Sequence, residues 1–207
     1  ANLHGIYAQA TSQSETKSTR VSVENSGSVF SNTFGIATVV GGTGPLTSQI
    51  TNTGTVRAYS ETRPTYGVAV VMSPGANNLS TITNDGGKIW AGFSTDGGQT
   101  VHRSVAIDAT LAPSLVELQG KKRDGQIYGD IDLAAGNTIE VTRGKTFFDG
   151  TVNGGPDSLL DIFDNGKLFL CQEGTTGSCN PDGVDGASVV NIDNLRVQND
   201  GTIGYQL

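Results

Sequence analysis

Ile50-Thr-Asn52-Thr-Gly54-Thr-Val56 is the phrase on which the reading of this chain turns. Aliphatic residues close it at both ends, and β-branched Thr alternates between them. Asn and Gly, the residues that most readily take turn conformations, stand in the middle. Seven residues therefore spell strand, tight turn, strand. The phrase recurs as Val23-Glu-Asn25-Ser-Gly27-Ser-Val29 and, with one residue inserted, as Ile82-Thr-Asn84-Asp-Gly86-Gly-Lys-Ile89. Later copies are Ile162-Phe-Asp164-Asn-Gly166-Lys-Leu168 and Val197-Gln-Asn199-Asp-Gly201-Thr-Ile203.

A second phrase alternates with the first: Gly5-Ile-Tyr-Ala8, Gly35-Ile-Ala-Thr38, Gly67-Val-Ala-Val70 and, more weakly, Ser104-Val-Ala-Ile107. Both return every ~30 residues, so together they define one structural unit. In the unit that starts at Gly35, a strand to Val40 leads through a Gly-rich loop to a strand over 47–51. The Asn52 turn and a third strand over 55–60 follow, and 61–65, containing Pro64, connects to the next unit. No segment has room for a crossover helix. A sandwich or barrel gives no reason for the same turn to recur at the same place; a solenoid does, because each unit is one coil. The expected fold is all-β, a right-handed parallel β-helix of about six three-strand coils, with the hand taken from the crossover preference. Asn25, Asn52 and Asn84 then occupy equivalent places and are expected to form an internal ladder of amide hydrogen bonds.

Composition agrees. Gly occurs 29 times in 207 residues and only 16% of residues are charged. Ser, Thr, Asn and Gly disfavour helices and suit strands joined by turns. The net charge of −7 argues against nucleic acid and anionic lipid as partners. No apolar run approaches the ~20 residues of a bilayer span, so no membrane insertion is expected of this stretch. The chain lacks an initial Met and stops directly after a strand-like stretch, and is read as a piece of a longer protein.

One continuous domain is expected, in two parts. Residues 1–113 carry longer loops at 11–19, 41–46, 73–78 and 95–100, which should project from one edge. Residues 114–207 should be more regular, with a loop between Cys171 and Cys179. The candidate binding surface is the loop edge formed by 11–19, 41–46, 73–78 and 95–104, with Tyr59, Arg63, Tyr66, His102 and Arg103, aromatic and basic types enriched at interface hot spots.

Candidate chemistry is thin. Asp130 and Asp132 share a strand face, and Asp161 and Asp164 are expected to lie together in another strand. Paired carboxylates can cleave glycosides, but acidic residues kept on the solvent face explain them better, because the adjacent Asp pair and the His in a Ser/Gly-His-Gly setting of a galacturonase-like site are missing. No Gly-x-Ser-x-Gly elbow occurs, and His4 and His102 are the only histidines. A structural zinc site wants four ligands. The expectation is no catalytic residue, no metal and no cofactor.

The repeated Asn-x-Gly turns, the Gly-Ile-Tyr-Ala-type strands, Gly129-Asp-Ile-Asp-Leu133-Ala-Ala-Gly136-Asn-Thr-Ile139 and Asp149-Gly-Thr-Val-Asn-Gly154 resemble passenger domains of bacterial type V autotransporters. A close Cys pair fits that family too. The resemblance implies export, display at the bacterial cell surface or release, and a C-terminal translocator barrel in the full-length protein. The functional expectation is a non-catalytic adhesin or host-receptor-binding virulence factor whose partner is a host cell-surface protein or glycan. The alternatives are a polysaccharide-active lyase or hydrolase, marked by a cleft with convergent carboxylates, and a structural spacer stalk, marked by short uniform loops.

The seven residues between Cys171 and Cys179 are polar, small or flexible. The two sulfurs can meet, although two unrelated thiols are the alternative. A disulfide is the expected outcome: thiol titration of the unfolded, unreduced protein should find none, and finding two would refute the pairing.

Overall fold

The computed structural model describes residues 4–75, 77–171 and 186–206, which hold strands and turns and no helix. The first coil comprises β1 (His4–Ser12), β2 (Thr19–Asn25) and β3 (Ser28–Ser31). The second has β4 (Phe34–Gly42), β5 (Leu46–Asn52) and β6 (Thr55–Ser60). The third has β7 (Tyr66–Met72), β8 (Leu79–Asp85) and β9 (Lys88–Phe93), followed by the two-residue β10 (His102–Arg103). The fourth has β11 (Val105–Leu111), β12 (Ser114–Gln119) and β13 (Gly125–Tyr128). The fifth has β14 (Asp130–Leu133), β15 (Thr138–Thr142) and β16 (Gly144–Asp149). The sixth has β17 (Thr151–Asn153), β18 (Leu159–Ile162) and β19 (Gly166–Cys171), and the last β20 (Val189–Asn191), β21 (Asn194–Val197) and β22 (Thr202–Gln206).

Each strand pairs with its counterpart one coil away. The sheet orders are β1-β4-β7-β11-β14-β17-β20, β2-β5-β8-β12-β15-β18-β21 and β3-β6-β9-β13-β16-β19-β22. Every pair on these paths is parallel; β10 alone runs antiparallel, against β9. The protein is a parallel β-helix. It has seven coils rather than about six, because the three-residue strands β17 and β20 are too short to stand out as sequence periods. All three sheets run unbroken past residues 113 and 114.

Strand alternation fills the interior. Ile50, Ile82, Val116, Ile139 and Leu160 are register partners down the second sheet, each 1% exposed or less. Burying such a side chain contributes about 1.5–3 kcal/mol. Two places further along each strand runs a polar column. Asn25 Nδ2 donates to Asn52 Oδ1 at 2.8 Å, and Asn52 Nδ2 to Asn84 Oδ1 at 2.8 Å. Asn84 Nδ2 ends the ladder on Gly87 O at 2.9 Å. In the next coil the same register position is Leu118, followed by Val141, Ile162 and Val197. The copies of the turn phrase at 162 and 197 are thus displaced: Ile162, not Asp164, aligns with the Asn column. Their turns are longer and run through left-handed pairs, Asp164 (φ 51°) with Asn165 (φ 61°) and Asn199 (φ 48°) with Asp200 (φ 63°). Asn and Asp tolerate that conformation better than other side chains do.

Two glycine positions hold the coils together by closeness, not by φ. A Cβ on Gly54 would lie 2.0 Å from Gly27 O of the preceding coil. A Cβ on Gly35 would lie 2.5 Å from Gly67 O and 2.3 Å from a Val56 methyl. Here the first and third sheets converge so tightly that only hydrogen fits.

Asn78 lies in a connection that reads as exposed loop, yet it is 8% exposed. Its Oδ1 accepts from Leu46 N of the preceding coil at 3.1 Å, and its Nδ2 donates to Ser73 O at 2.6 Å. Asn137 repeats the device, accepting from Ser114 N at 2.9 Å and donating to Ala109 O and Ala112 O. Asn78 is therefore a coil-to-coil clamp, and its loss should destabilise the stack.

Asn52→Ala would leave Asn84 Oδ1 buried without a donor, a cost of about 1–3 kcal/mol. The exposed Asn77 is the proper comparison. Thermal melting should drop clearly for Asn52→Ala and hardly for Asn77→Ala; equal melting temperatures would dismiss the ladder as a stabilising element.

Candidate binding surface

Outward-facing residues of the third sheet also stack in columns. Phe30, Arg57, Trp90, Tyr128 and Asp149 are successive register partners. The Trp90 and Tyr128 rings stack with centroids 5.1 Å apart and planes 9° apart. The Arg57 guanidinium lies 4.5 Å above the Trp90 ring and 6.0 Å from that of Tyr59. Cation–π attraction of this kind contributes about 0.5–1 kcal/mol at exposed sites. Trp90 is 9% exposed and Tyr128 3%. The column is closed over at Trp90 and Tyr128, whereas Phe30 is 62% exposed and Arg57 faces solvent.

A shallow surface recess of about 370 Å³ lies beside these two side chains, lined by Phe30, Ser31, Asn32, Arg57 and Tyr59. A second recess, lined by Asn32, Tyr59, Ser60, Glu61 and Thr62, shares two of these residues. Together they make one shelf that runs from the strand face into the 61–65 connection. Thr65 anchors that connection: it is fully buried, and its Oγ1 donates to Ala58 O at 3.1 Å and Gly92 O at 3.0 Å.

The five residues expected to form the binding surface gather at the corner between the third and first sheets, with different fates. Tyr59 lines the shelf, half-buried beside Trp90 at 5.9 Å. Arg63 is exposed and donates to Thr33 Oγ1 at 2.7 Å. Tyr66 stacks on Phe34 at 4.9 Å. His102 packs at 5.4 Å on Phe93. Arg103 reaches Asp149 at 3.0 Å, with side chains 15% and 3% exposed, and is committed to that pair. Phe30, Arg57, Trp90 and Tyr128 escape a reading based on loops, although they recur at coil spacing.

The expected single loop edge does not form. Segments 11–19, 41–46 and 73–78 leave the first sheet for the second, so they stack at one corner. Segment 95–104 leaves the third sheet and leads into Val105, at another corner. Its chain position, just before Ser104-Val-Ala-Ile107, already places it ahead of a first-sheet strand. The segment is internally braced: Ser94 Oγ donates to Asp96 Oδ1 at 2.6 Å and Thr100 N to the same oxygen at 2.9 Å. These hydrogen bonds, Ser94 foremost, hold the Asp96 carboxyl well below the usual range.

The carboxylates singled out in the sequence have structural partners. Asp130 accepts from Thr151 N at 2.8 Å and Asp132 from Asn153 Nδ2 at 2.7 Å. Asp161 and Asp164 do not share a strand: Asp161 lies in β18 and takes a two-pronged bond from Arg196, whereas Asp164 lies beyond its end in a left-handed turn and pairs with Arg143 at 2.9 Å. Of the histidines, His4 opens β1. Cys171 is buried at the end of β19, while Cys179 lies outside the described residues.

Compared with models of protein families, with curated proteins and with solved structures, the chain matches none.

Like charges also stack. Glu117, Glu140, Asp161 and Arg196 are register partners on the second sheet. Burial raises the Glu140 carboxyl first, and Glu117 and Asp161 add to it. A carboxyl raised in the folded state keeps a proton that the unfolded chain has already lost, so it destabilises the fold as pH climbs above the ordinary carboxylate range. Glu140→Gln should melt higher than the parent at pH 7, and the gap should close as pH falls through that range. A gap that is absent or independent of pH would show that the column carries no strain.

Proposed function

We propose that the chain is the displayed, ligand-binding part of an exported bacterial surface protein, acting as an adhesin or host-receptor ligand in the manner of type V autotransporter passengers. The shelf formed by Phe30, Arg57 and Tyr59 on the outer face of the third sheet supports this reading. Exposed aromatic and arginine side chains grouped in a recess are the residue types that dominate binding energy. The coil stack beneath them supplies rigidity, so little ordering cost falls on association. The hydrogen-bonded partners of Asp132, Asp161 and Asp164 favour binding over glycan cleavage. Display outside the cell, a Cys171–Cys179 disulfide and a translocator barrel elsewhere in the full-length protein belong to the same proposal.

The test is adhesion of the fluorescently labelled chain to cultured host epithelial cells. Phe30→Ala with Tyr59→Ala should weaken binding about tenfold or more while melting stays within a few degrees. Replacing 13–18 by a Gly-Ser linker, at the other corner, should leave binding unchanged. If the linker variant loses binding and the double variant keeps it, the site is the loop edge and not the strand face.

A further inference from the structure

Resting on that reading, we infer that the shelf binds a carboxylated sugar residue of a glycan. Its carboxylate would pair with Arg57 and its ring would lie against Phe30 and Tyr59.

The inference starts from Arg57. One face of its guanidinium covers Trp90 at 4.5 Å, and the residue also lines the recess beside Phe30. No carboxylate among the described residues pairs with it. A planar, always-charged fork held against an aromatic ring is pre-organised to take a carboxylate through two parallel hydrogen bonds. The chain as a whole carries seven excess negative charges, so attraction for an acid must be local. This favours a ligand with one carboxylate over a polyanion.

The rest of the lining fits a sugar better than a peptide side chain or a flat aromatic. Phe30 and Tyr59 offer apolar ring surface for the C–H face of a pyranose. Asn32 brings an amide that both donates and accepts, and it borders both recesses. Glu61 and Thr62, in the adjoining recess, offer an acceptor and a hydroxyl for ring hydroxyls. The volume, about 370 Å³, lies at the small end of ligand sites, enough for one sugar unit with its glycan leaving along the shelf. A partner for an acid beside ring surface in one recess, and hydroxyl partners in the adjoining one, match the groups on a sialic or uronic acid.

Trp90, the only tryptophan in the chain, reports on Arg57 directly through its emission. The intact chain is titrated with two matched pairs: 3′-sialyllactose against lactose, and cellobiouronic acid against cellobiose. The acidic member of at least one pair should bind about tenfold or more tighter than its neutral counterpart, and added salt should weaken it. Which acid binds distinguishes a sialylated from a uronic glycan. Arg57→Gln should abolish the preference for the acid. Arg20→Gln, the same charge change on the second sheet, should leave it intact. Calorimetry checks each titration independently of Trp90. If no acid outbinds its neutral partner, or if Arg57→Gln retains the preference, the inference is overturned. The functional reading fails separately, when the Phe30 and Tyr59 variant adheres to cells as well as the parent does.

Discussion

Every part of this molecule depends on the parallel ladder that joins one coil to the next. Each strand sits on its counterpart in register, Thr47 on Leu79, Ile50 on Ile82 and Asn52 on Asn84, so a residue's neighbours are fixed by the coil repeat. A slip of one position would turn every apolar side chain outward. Close backbone contact enforces the stack at the glycines. Gly35 and Gly54 leave no room for a methyl group, and substitution at either would push the coils apart.

Columns follow from that ladder, and the environment decides what each column does. Inside, identical amides chain together through Asn25, Asn52 and Asn84, until Leu118 turns the same position apolar. The switch is abrupt because a ladder needs a partner on each side or a cap, and Gly87 O supplies the cap. On the outside of the second sheet, the carboxylates of Glu117, Glu140 and Asp161 are forced together and Arg196 offsets them only in part. On the outside of the third sheet, aromatic rings stack beneath Arg57. An inherited repeat thus makes an extended, pre-organised surface from side chains far apart in sequence.

Much of this was legible in the sequence. The recurring Asn-x-Gly phrase led to coils, to three strands per coil and to the places of Asn25, Asn52 and Asn84. What escaped has physical causes. The copies at 162 and 197 look like the early ones, but longer left-handed turns shift them two positions along the register. Asn78 reads as loop because its burial depends on Leu46 N of another coil. Segment 95–104 reads as part of one edge because length alone does not say which corner a loop turns. The shelf escaped because a solvent-facing strand position such as Arg57 looks inert until register places Phe30 and Trp90 on either side of it.

Register is the central claim, and paired cysteines measure it directly. Thr51 and Thr83 are partners in adjacent coils, with side chains on the outer face of the second sheet. Adjacent strands lie about 4.8 Å apart, within the Cα separation a disulfide accepts. A two-residue offset puts the pair roughly 8 Å apart and beyond bonding. With disulfides mapped by peptide mass after mild oxidation, Thr51→Cys with Thr83→Cys should crosslink nearly completely, and Gln49→Cys with Thr83→Cys should not. Crosslinking of the offset pair in preference to the aligned one would contradict the register, and with it both the core and the binding shelf derived from it.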